Sequence, residues 1–247
     1  MKLNVENAML LLEEKLKESN HKKYKHSIGV AKIAAQLARK WRVNVEEAVI
    51  AALLHDIGKS MKREEMLDFC SANGISISEF ERFDNQEALH GKISAHFFKE
   101  AFREGEDGER TNKRTLRKIA RAIESHIAGR KNMSLLDKII FLADNLESKK
   151  YGAEMLEQIL ADKRKRPGFY IGKIIDIKIA KAVENVRFPN PGLQDTISSG
   201  PEGNPRRERF AKAIKNIARA KEEKSGGETK ITEPVVIVLP TAEEVVK

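Results

Sequence analysis

The segment AVIAALLHDIGK, residues 48–59, decides the fold of this chain. Its first seven residues are apolar, which predicts a helix that is buried on most of its sides. The helix runs directly into His55-Asp56 and is expected to end at Gly58. Because neighbouring helical positions point about 100° apart, both side chains can approach one point only at a helix end that faces a cavity. The segment therefore predicts two polar groups at the end of a buried helix.

Apolar residues at helical spacing recur through most of the first 187 residues, which predicts an all-α fold. The clearest helical segments are 26–41, 88–102, 114–130 (as far as Gly129) and 133–148. In the last of these, Ser134 is a candidate N-cap with Asp137 three residues further on. Residues 174–186 are compatible with a helix, but they also alternate like a strand from Ile175 to Ile179.

A change in composition divides the chain into three parts. Residues 1–187 form the predicted helical domain. Residues 188–205 are rich in Pro and Gly and read as a linker. Residues 206–247 form a basic, partly flexible C-terminal extension of unassigned role, which begins with an amphipathic helix over 206–223.

The overall composition excludes some classes of protein. A single Cys among 247 residues rules out a disulfide scaffold and a thiolate zinc knuckle. The first residues resemble neither a signal peptide nor a membrane span, so we expect a cytoplasmic protein with no membrane role. The formal net charge of +9 favours polyanionic partners such as RNA or a phosphate-rich small molecule, although it also occurs in proteins that bind neither.

Histidine and aspartate occur where the chain is otherwise apolar. Four of the six histidines lie at predicted helix ends or on apolar stripes, and two aspartates lie in strongly apolar segments: His26, His55, His90, His126, Asp56 and Asp144. A single such histidine is usually a core residue, and a single such aspartate is usually a helix cap. An unpaired buried carboxylate is costly, however, so the six together favour one shared metal site.

Two segments of the sequence resemble known families. LLHDIGK (53–59), together with the four histidines and Asp144, resembles the HD-domain metal-dependent phosphohydrolases. The segment GRKNMSLLDKIIFLADNLES (129–148) is similar to the signature of the YqeK-type symmetrical diadenosine tetraphosphate hydrolases. The resemblance covers about residues 5–150 and implies an HD-domain helical bundle.

The resemblance also implies roles for individual residues. The implied metal ligands are His26, His55, Asp56 and Asp144, with iron as the expected ion. The implied substrate-binding residues, which contact nucleotide phosphates, are Lys23, Lys59, His90, His126, Ile127 and Lys150. Lys23 and Lys150 stand where the family usually has Arg, which keeps the charge but loses the bidentate fork of a guanidinium.

The ligand types indicate the chemistry. Imidazoles and carboxylates without a thiolate suit Fe, Mn, Co, Ni or Zn. A divalent metal would generate a nucleophilic water near neutral pH. Asp56 could orient that water and Lys59 could offset charge on phosphate oxygens, which makes both candidate catalytic residues. The family match implies cleavage of diadenosine tetraphosphate, a dinucleoside polyphosphate, into two ADP.

Two alternatives remain open from the sequence. The first is an HD phosphodiesterase that acts on RNA ends or on a cyclic nucleotide, favoured by the excess of basic residues in 147–187 and 206–223. The second is a nucleotide-binding or partner-recruiting protein whose metal site is structural. The oligomeric state is not indicated.

Overall fold

The computed structural model of the protein describes residues 1–84, 86–103, 112–147, 151–185, 197 and 205–224. These residues form helices, turns and loops, and none of them lies in a strand. The predicted all-α class is therefore confirmed. Among these residues, no helix combines the length and the apolarity needed to cross a membrane.

Ten helices are described along the chain. They are α1 (Val5–Leu16), α2 (His21–Trp41), α3 (Val45–Leu54), α4 (Arg63–Ala72), α5 (His90–Phe102), α6 (Lys113–Glu124), α7 (Leu135–Leu146), α8 (Gly152–Ala161), α9 (Pro167–Glu184) and α10 (Pro205–Lys224). Short 3₁₀ turns span Ile57–Ser60 and Gln86–Leu89, and a π-type turn spans Phe80–Asp84. The sequence patterns had not marked α1, α4 or α8.

Helix α3 lies at the centre of the bundle, as its apolar sequence predicts. It contacts α1, α2, α5, α6 and α7. Six of its ten residues are buried, and the Asn44 side chain caps its first turn by accepting the amide N–H of Glu47 at 3.0 Å. Helix α3 ends at Leu54, so His55 and Asp56 follow directly after a buried helix end and are themselves buried.

Helix α7 brings a second polar segment to the same place. Its capping box forms as expected, because the Ser134 side chain accepts from the amide of Asp137 while the Asp137 side chain accepts from that of Ser134. The helix packs against α2, α3, α6, α8 and α9 through a nearly continuous apolar surface. Its C-terminal turn therefore brings Asp144 between α2 and the end of α3.

Helix α6 ends earlier than the sequence pattern predicts. The pattern extends to Gly129, but the helix stops at Glu124 and the next four residues form turns. The amide of Gly129 donates to the Ser125 carbonyl, and Gly129 itself has a positive φ of 73°. His126 consequently lies in a turn just beyond the helix.

Helices α9 and α10 close one side of the bundle. Residues 174–184 are helical within α9, which confirms the helical alternative for this segment over the strand. Helix α10 packs on α9 with Phe210, Ala213 and Ile217 buried, and Arg206 pairs with Asp176 at 2.9 Å. Most of the predicted linker and all of residues 225–247 lie outside the described residues, so the division into domains stays a prediction.

Candidate metal centre

The ends of three helices bring the predicted site residues together. His55 is the C-cap of α3, and Asp56 follows it in the bridge region of backbone space (φ −108°, ψ 5°). Two residues after Asp56, packing requires a glycine at position 58, because a Cβ atom on Gly58 would lie 2.5 Å from the His90 carbonyl oxygen. Helix α5 can therefore begin directly beside the His-Asp pair, and its first residue, His90, faces Asp56.

One group of donor atoms surrounds one oxygen of Asp56. His55 Nε2 lies 3.6 Å from Asp56 Oδ2 and 3.6 Å from Asp144 Oδ1. His26 Nε2 lies 3.1 Å from Asp144 Oδ1 and 3.9 Å from Asp56 Oδ2. Three of the four residues predicted as metal ligands, His26, His55 and Asp56, have ligand atoms within 4.8 Å of one another. The fourth, Asp144, adjoins this group through the two histidines.

A second group surrounds the other oxygen of Asp56. His90 Nε2 lies 3.1 Å and His126 Nε2 lies 3.5 Å from Asp56 Oδ1, and the two imidazole nitrogens are 3.1 Å apart. Both imidazoles are almost completely buried. Asp56 is therefore shared by two groups of histidines, each of which offers ligand atoms within 4.8 Å.

Hydrogen bonds to the other ring nitrogen orient three of these imidazoles. His55 Nδ1 donates to the Ala52 carbonyl at 2.7 Å, and His126 Nδ1 donates to the Ile123 carbonyl at 2.6 Å. Each bond leaves Nε2 as the lone-pair nitrogen that faces the cluster. His26 Nδ1 is paired with the Glu147 carboxylate. This carboxylate packs directly against Gly29 of α2, where a Cβ atom would lie 2.7 Å from Glu147 Oε1.

Glu147 was not assigned a role from the sequence. The sequence signal was present, since a Glu after the Ala-Asp pair belongs to the signature segment 129–148. What the sequence does not show is that this carboxylate reaches across to α2.

The cluster contains buried polar atoms without hydrogen-bond partners. Within the described residues, His55 Nε2 and Asp56 Oδ1 are two such atoms. Burying polar atoms without partners is costly, and a cation bound among them would satisfy both. The donor set of imidazoles and carboxylates therefore fits a divalent transition metal.

Electrostatics keep the two carboxylates ionised. Burial favours the neutral acid, but His55, His126 and His90 outweigh it and hold the pKa of Asp56 well below its ordinary value. Burial is likewise outweighed by His26 and His55 at Asp144, whose pKa is also lowered. Burial lowers the pKa of His126 to about 4, so its imidazole is neutral at pH 7. Charged carboxylates and neutral imidazole are the forms that bind a metal.

Two lysines pair with Asp56 at the mouth of the cluster. The ammonium groups of Lys59 and Lys23 lie 2.8 and 3.3 Å from Asp56 Oδ2. Burial and the nearby Lys23 lower the pKa of Lys59, although Asp56 opposes both effects. Two of the three lysines predicted to bind phosphate, Lys23 and Lys59, therefore lie beside the shared carboxylate.

A cleft of about 730 Å³ opens over the cluster. Six lysines line it, together with His26, Asp144 and Glu147: Lys22, Lys23, Lys25, Lys59, Lys178 and Lys181. Lys178 and Lys181 come from α9 and were not singled out in the sequence. Tyr151 also lines the cleft, and burial together with Asp144 raises its pKa to about 12, so its hydroxyl stays a donor. The cleft is thus suited to a polyanion.

The remaining predicted residues lie at the edge of this arrangement. Ile127 is half-buried, and its carbonyl accepts a hydrogen bond from Lys178 at 2.9 Å. Lys150 falls outside the described residues. The predicted roles of all these residues stay predictions.

Comparison with known proteins identifies the class. The family model of the HD domain matches residues 24–149. A bis(5'-nucleosyl)-tetraphosphatase, symmetrical, of Halalkalibacterium halodurans is 34% identical over 146 residues, which cover 59% of this chain and 70% of that protein. The Bacillus subtilis protein of the same name is 30% identical over 146 residues, with the same two coverages. The chain belongs to the HD-domain family.

A solved structure has the same fold. It is a predicted HD superfamily hydrolase involved in NAD metabolism from Clostridium acetobutylicum, with a TM-score of 0.64 and 26% sequence identity. The match covers 81% of this chain and 97% of that one. The sequence-based assignment to the HD-domain phosphohydrolases is therefore confirmed.

Proposed function

We propose that the protein is a metal-dependent phosphohydrolase that splits diadenosine tetraphosphate symmetrically into two ADP. The observation that carries the proposal is a pair of buried, unpartnered imidazole and carboxylate atoms, on His55 and Asp56, behind a cleft that is lined by His26, Asp144 and six lysines. Two relatives named as symmetrical bis(5'-nucleosyl)-tetraphosphatases support the same substrate. The six ammonium groups match the several negative charges of a tetraphosphate bridge.

The metal would be held by His26, His55, Asp56 and Asp144, with iron as the expected ion. When bound, it supplies a water acidified to near-neutral pKa and a Lewis acid for phosphate oxygens. The donor set does not by itself select iron over manganese, cobalt, nickel or zinc. The metal that the purified protein retains, measured by elemental analysis, tests the choice of iron.

The chain's own residues position the substrate. Lys59 and Lys23 lie beside Asp56, where they can bind phosphate oxygens and offset the charge that develops on them. The lysines of α2 and α9 can hold the rest of the phosphate chain. The bond that breaks joins a bridging oxygen to one of the two central phosphorus atoms; the water oxygen bonds to that phosphorus, and the other ADP leaves with the bridging oxygen.

The two oxygens of Asp56 suggest a second ion. Oδ2 faces His26 and His55 while Oδ1 faces His90 and His126, so a first cation would be held with His26 and His55, and a second could be held with His90 and His126. In this arrangement His90 and His126 are ligands rather than contacts to phosphate. Two metal ions per chain in the wild-type protein, reduced to one in His126→Asn, would support the second ion. A single ion in both proteins would contradict it.

The decisive experiment is an anaerobic assay with added Fe²⁺ or Mn²⁺ and diadenosine tetraphosphate, followed by chromatographic separation of the products. ADP as the sole product is expected. Production of ATP and AMP would overturn the symmetrical cleavage. A protein that has bound metal and yields no product would overturn the choice of substrate and favour another phosphoester.

A further inference from the structure

We propose a second ligand site on this protein, a surface for single-stranded nucleic acid at the junction of α8 and α9. It consists of the exposed ring of Phe169 and the cations Lys163, Arg164, Lys165 and Lys173, which line a concavity of about 810 Å³. We call it the junction patch. It lies beyond the HD-domain match, which ends at residue 149, and its argument is independent of the proposed hydrolysis.

The aromatic ring of the patch is one of two phenylalanine rings that are largely exposed among the described residues. Phe169 is 42% exposed, although most large apolar side chains of the described core are buried. The ammonium group of Lys165 lies 4.0 Å from the ring centroid and that of Lys173 lies 5.8 Å from it. The Lys165 ammonium lies over the ring, so an unpaired base that stacks on that face would displace this flexible cation, which stays close enough to pair with the phosphates.

The loop that carries the patch is ordered by its own hydrogen bonds. The Asp162 carboxylate accepts from the amides of Arg164 and Lys165 at 2.8 and 3.1 Å and from the Tyr170 hydroxyl at 3.2 Å. From α2, the Lys40 ammonium donates to the carbonyls of Leu160 and Asp162. The cations are therefore presented from a fixed backbone, which lowers the entropy lost on binding.

The charges of the patch are poorly compensated. Among the described residues that line it, Asp162 is the only acid; its carboxylate lies 3.9 Å from the Lys165 ammonium and already accepts the hydrogen bonds that order the loop. Burial is the main cause that lowers the pKa of Lys173; repulsion by the nearby Lys165 lowers it further, and Glu154 opposes both. A polyanion bound in the concavity would relieve this repulsion.

The patch is separate from the metal centre. Tyr151, which lines the catalytic cleft, immediately precedes the first residue of α8, and the patch begins at the other end of that helix. Ten helical residues span about 15 Å. Substitutions in the patch can therefore be made without touching the cleft.

Geometry favours a single strand over a duplex or a free mononucleotide. In a duplex the base faces are stacked on one another and cannot lie against an exposed ring. Four cations line the concavity, which is more positive charge than the phosphate of one mononucleotide would neutralise. No feature of the patch selects ribose over deoxyribose, so RNA and DNA are tested side by side.

The test is fluorescence anisotropy of labelled U₁₂ and dT₁₂ with the full-length protein at several KCl concentrations. Phe169→Ala is expected to weaken binding about five- to a hundredfold, the scale of one lost base stack, while Phe169→Trp retains it. The double substitution Lys163→Gln/Arg164→Gln is expected to weaken binding and to flatten the salt dependence. Hydrolytic activity should be unchanged in all three variants.

Matched controls lie elsewhere on the surface. Phe83 is 79% exposed, and Lys62-Arg63 is another exposed Lys-Arg pair, so Phe83→Ala and Lys62→Gln/Arg63→Gln should bind like the wild type. Three results would each overturn the proposal: no binding by the wild type, equal affinity for a 12-base-pair duplex, or binding that survives Phe169→Ala. If binding survives Phe169→Ala but is weakened by Lys163→Gln/Arg164→Gln, the patch is a general surface for acidic partners and not a site for stacked bases.

Discussion

The two ends of helix α7 carry aspartates with opposite roles. At the N-terminal end, Asp137 accepts hydrogen bonds from the amide and hydroxyl of Ser134 and pairs with Arg130. At the C-terminal end, Asp144 faces His26 and His55, close to ring and carboxylate atoms that have no partner. A satisfied buried carboxylate stabilises a fold, whereas an unsatisfied cluster marks a place for a ligand. The difference therefore separates a structural group from a functional one on a single helix.

The largest effect should come from Asp144→Asn. The change keeps the shape of the side chain but removes the charge that holds a cation, so turnover should fall about a hundred- to a thousandfold with loss of bound metal. Metal analysis and product chromatography measure both. The free energy of unfolding of the metal-free protein should change little, and unchanged metal content would contradict the ligand assignment.

A smaller effect is expected at Glu147. This carboxylate orients His26 rather than reaching the metal, so Glu147→Gln should weaken metal affinity about ten- to a hundredfold. Excess metal should then restore kcat and leave KM for the nucleotide near its wild-type value. If saturating metal does not restore turnover, Glu147 acts on the substrate and not through His26.

The matched change at the other end of α7, Asp137→Asn, should affect stability alone. The loss of a charged acceptor to Ser134 and Arg130 should lower the free energy of unfolding by about 1–2 kcal/mol. Urea denaturation measures this. Metal content should equal that of the wild type. A loss of metal without a loss of stability would contradict the assignment of a structural role to Asp137.

The smallest effect concerns a third polar cluster, remote from both ends of α7. The Glu81 carboxylate accepts from Ser78 and from Lys92 on α5. Burial opposes its ionisation, but the bonds from Lys92 and Ser78 outweigh burial and lower the pKa of Glu81. The stabilisation is therefore present above the ordinary pKa of a Glu and is lost as pH falls through the lower folded value.

A comparison of wild type with Glu81→Gln tests this linkage. The difference in unfolding free energy should be below about 1 kcal/mol at pH 7 and should shrink steadily toward acid pH. A difference that grows as the pH falls would reverse the sign and exclude the linkage. Metal binding should be the same in both proteins.

Much of the site could be predicted from the sequence, because polar residues occur within segments that are otherwise apolar. His55-Asp56 after an apolar run, and Asp144 within another, signalled buried polar groups because their burial has to be compensated. The capping box at Ser134 was equally local, since its bonds join residues three apart. Local patterns do not predict features that depend on distant partners. The early end of α6 is one such feature, and the pairing of His26 with Glu147, which lies 121 residues away, is another, because packing between helices sets both.

The sequence by itself determined the all-α class, the membership of the HD-domain family and the six polar residues that meet at the cluster. These depend on helical periodicity and on residue identity, which are properties of the chain order. Only the tertiary structure decided that Asp56 presents its two oxygens to two different pairs of imidazoles. It also decided that α9 supplies two of the six cleft lysines and that the basic run after α8 flanks an exposed ring. Such arrangements are set by how helices pack, because the residues involved have no local sequence relation to one another.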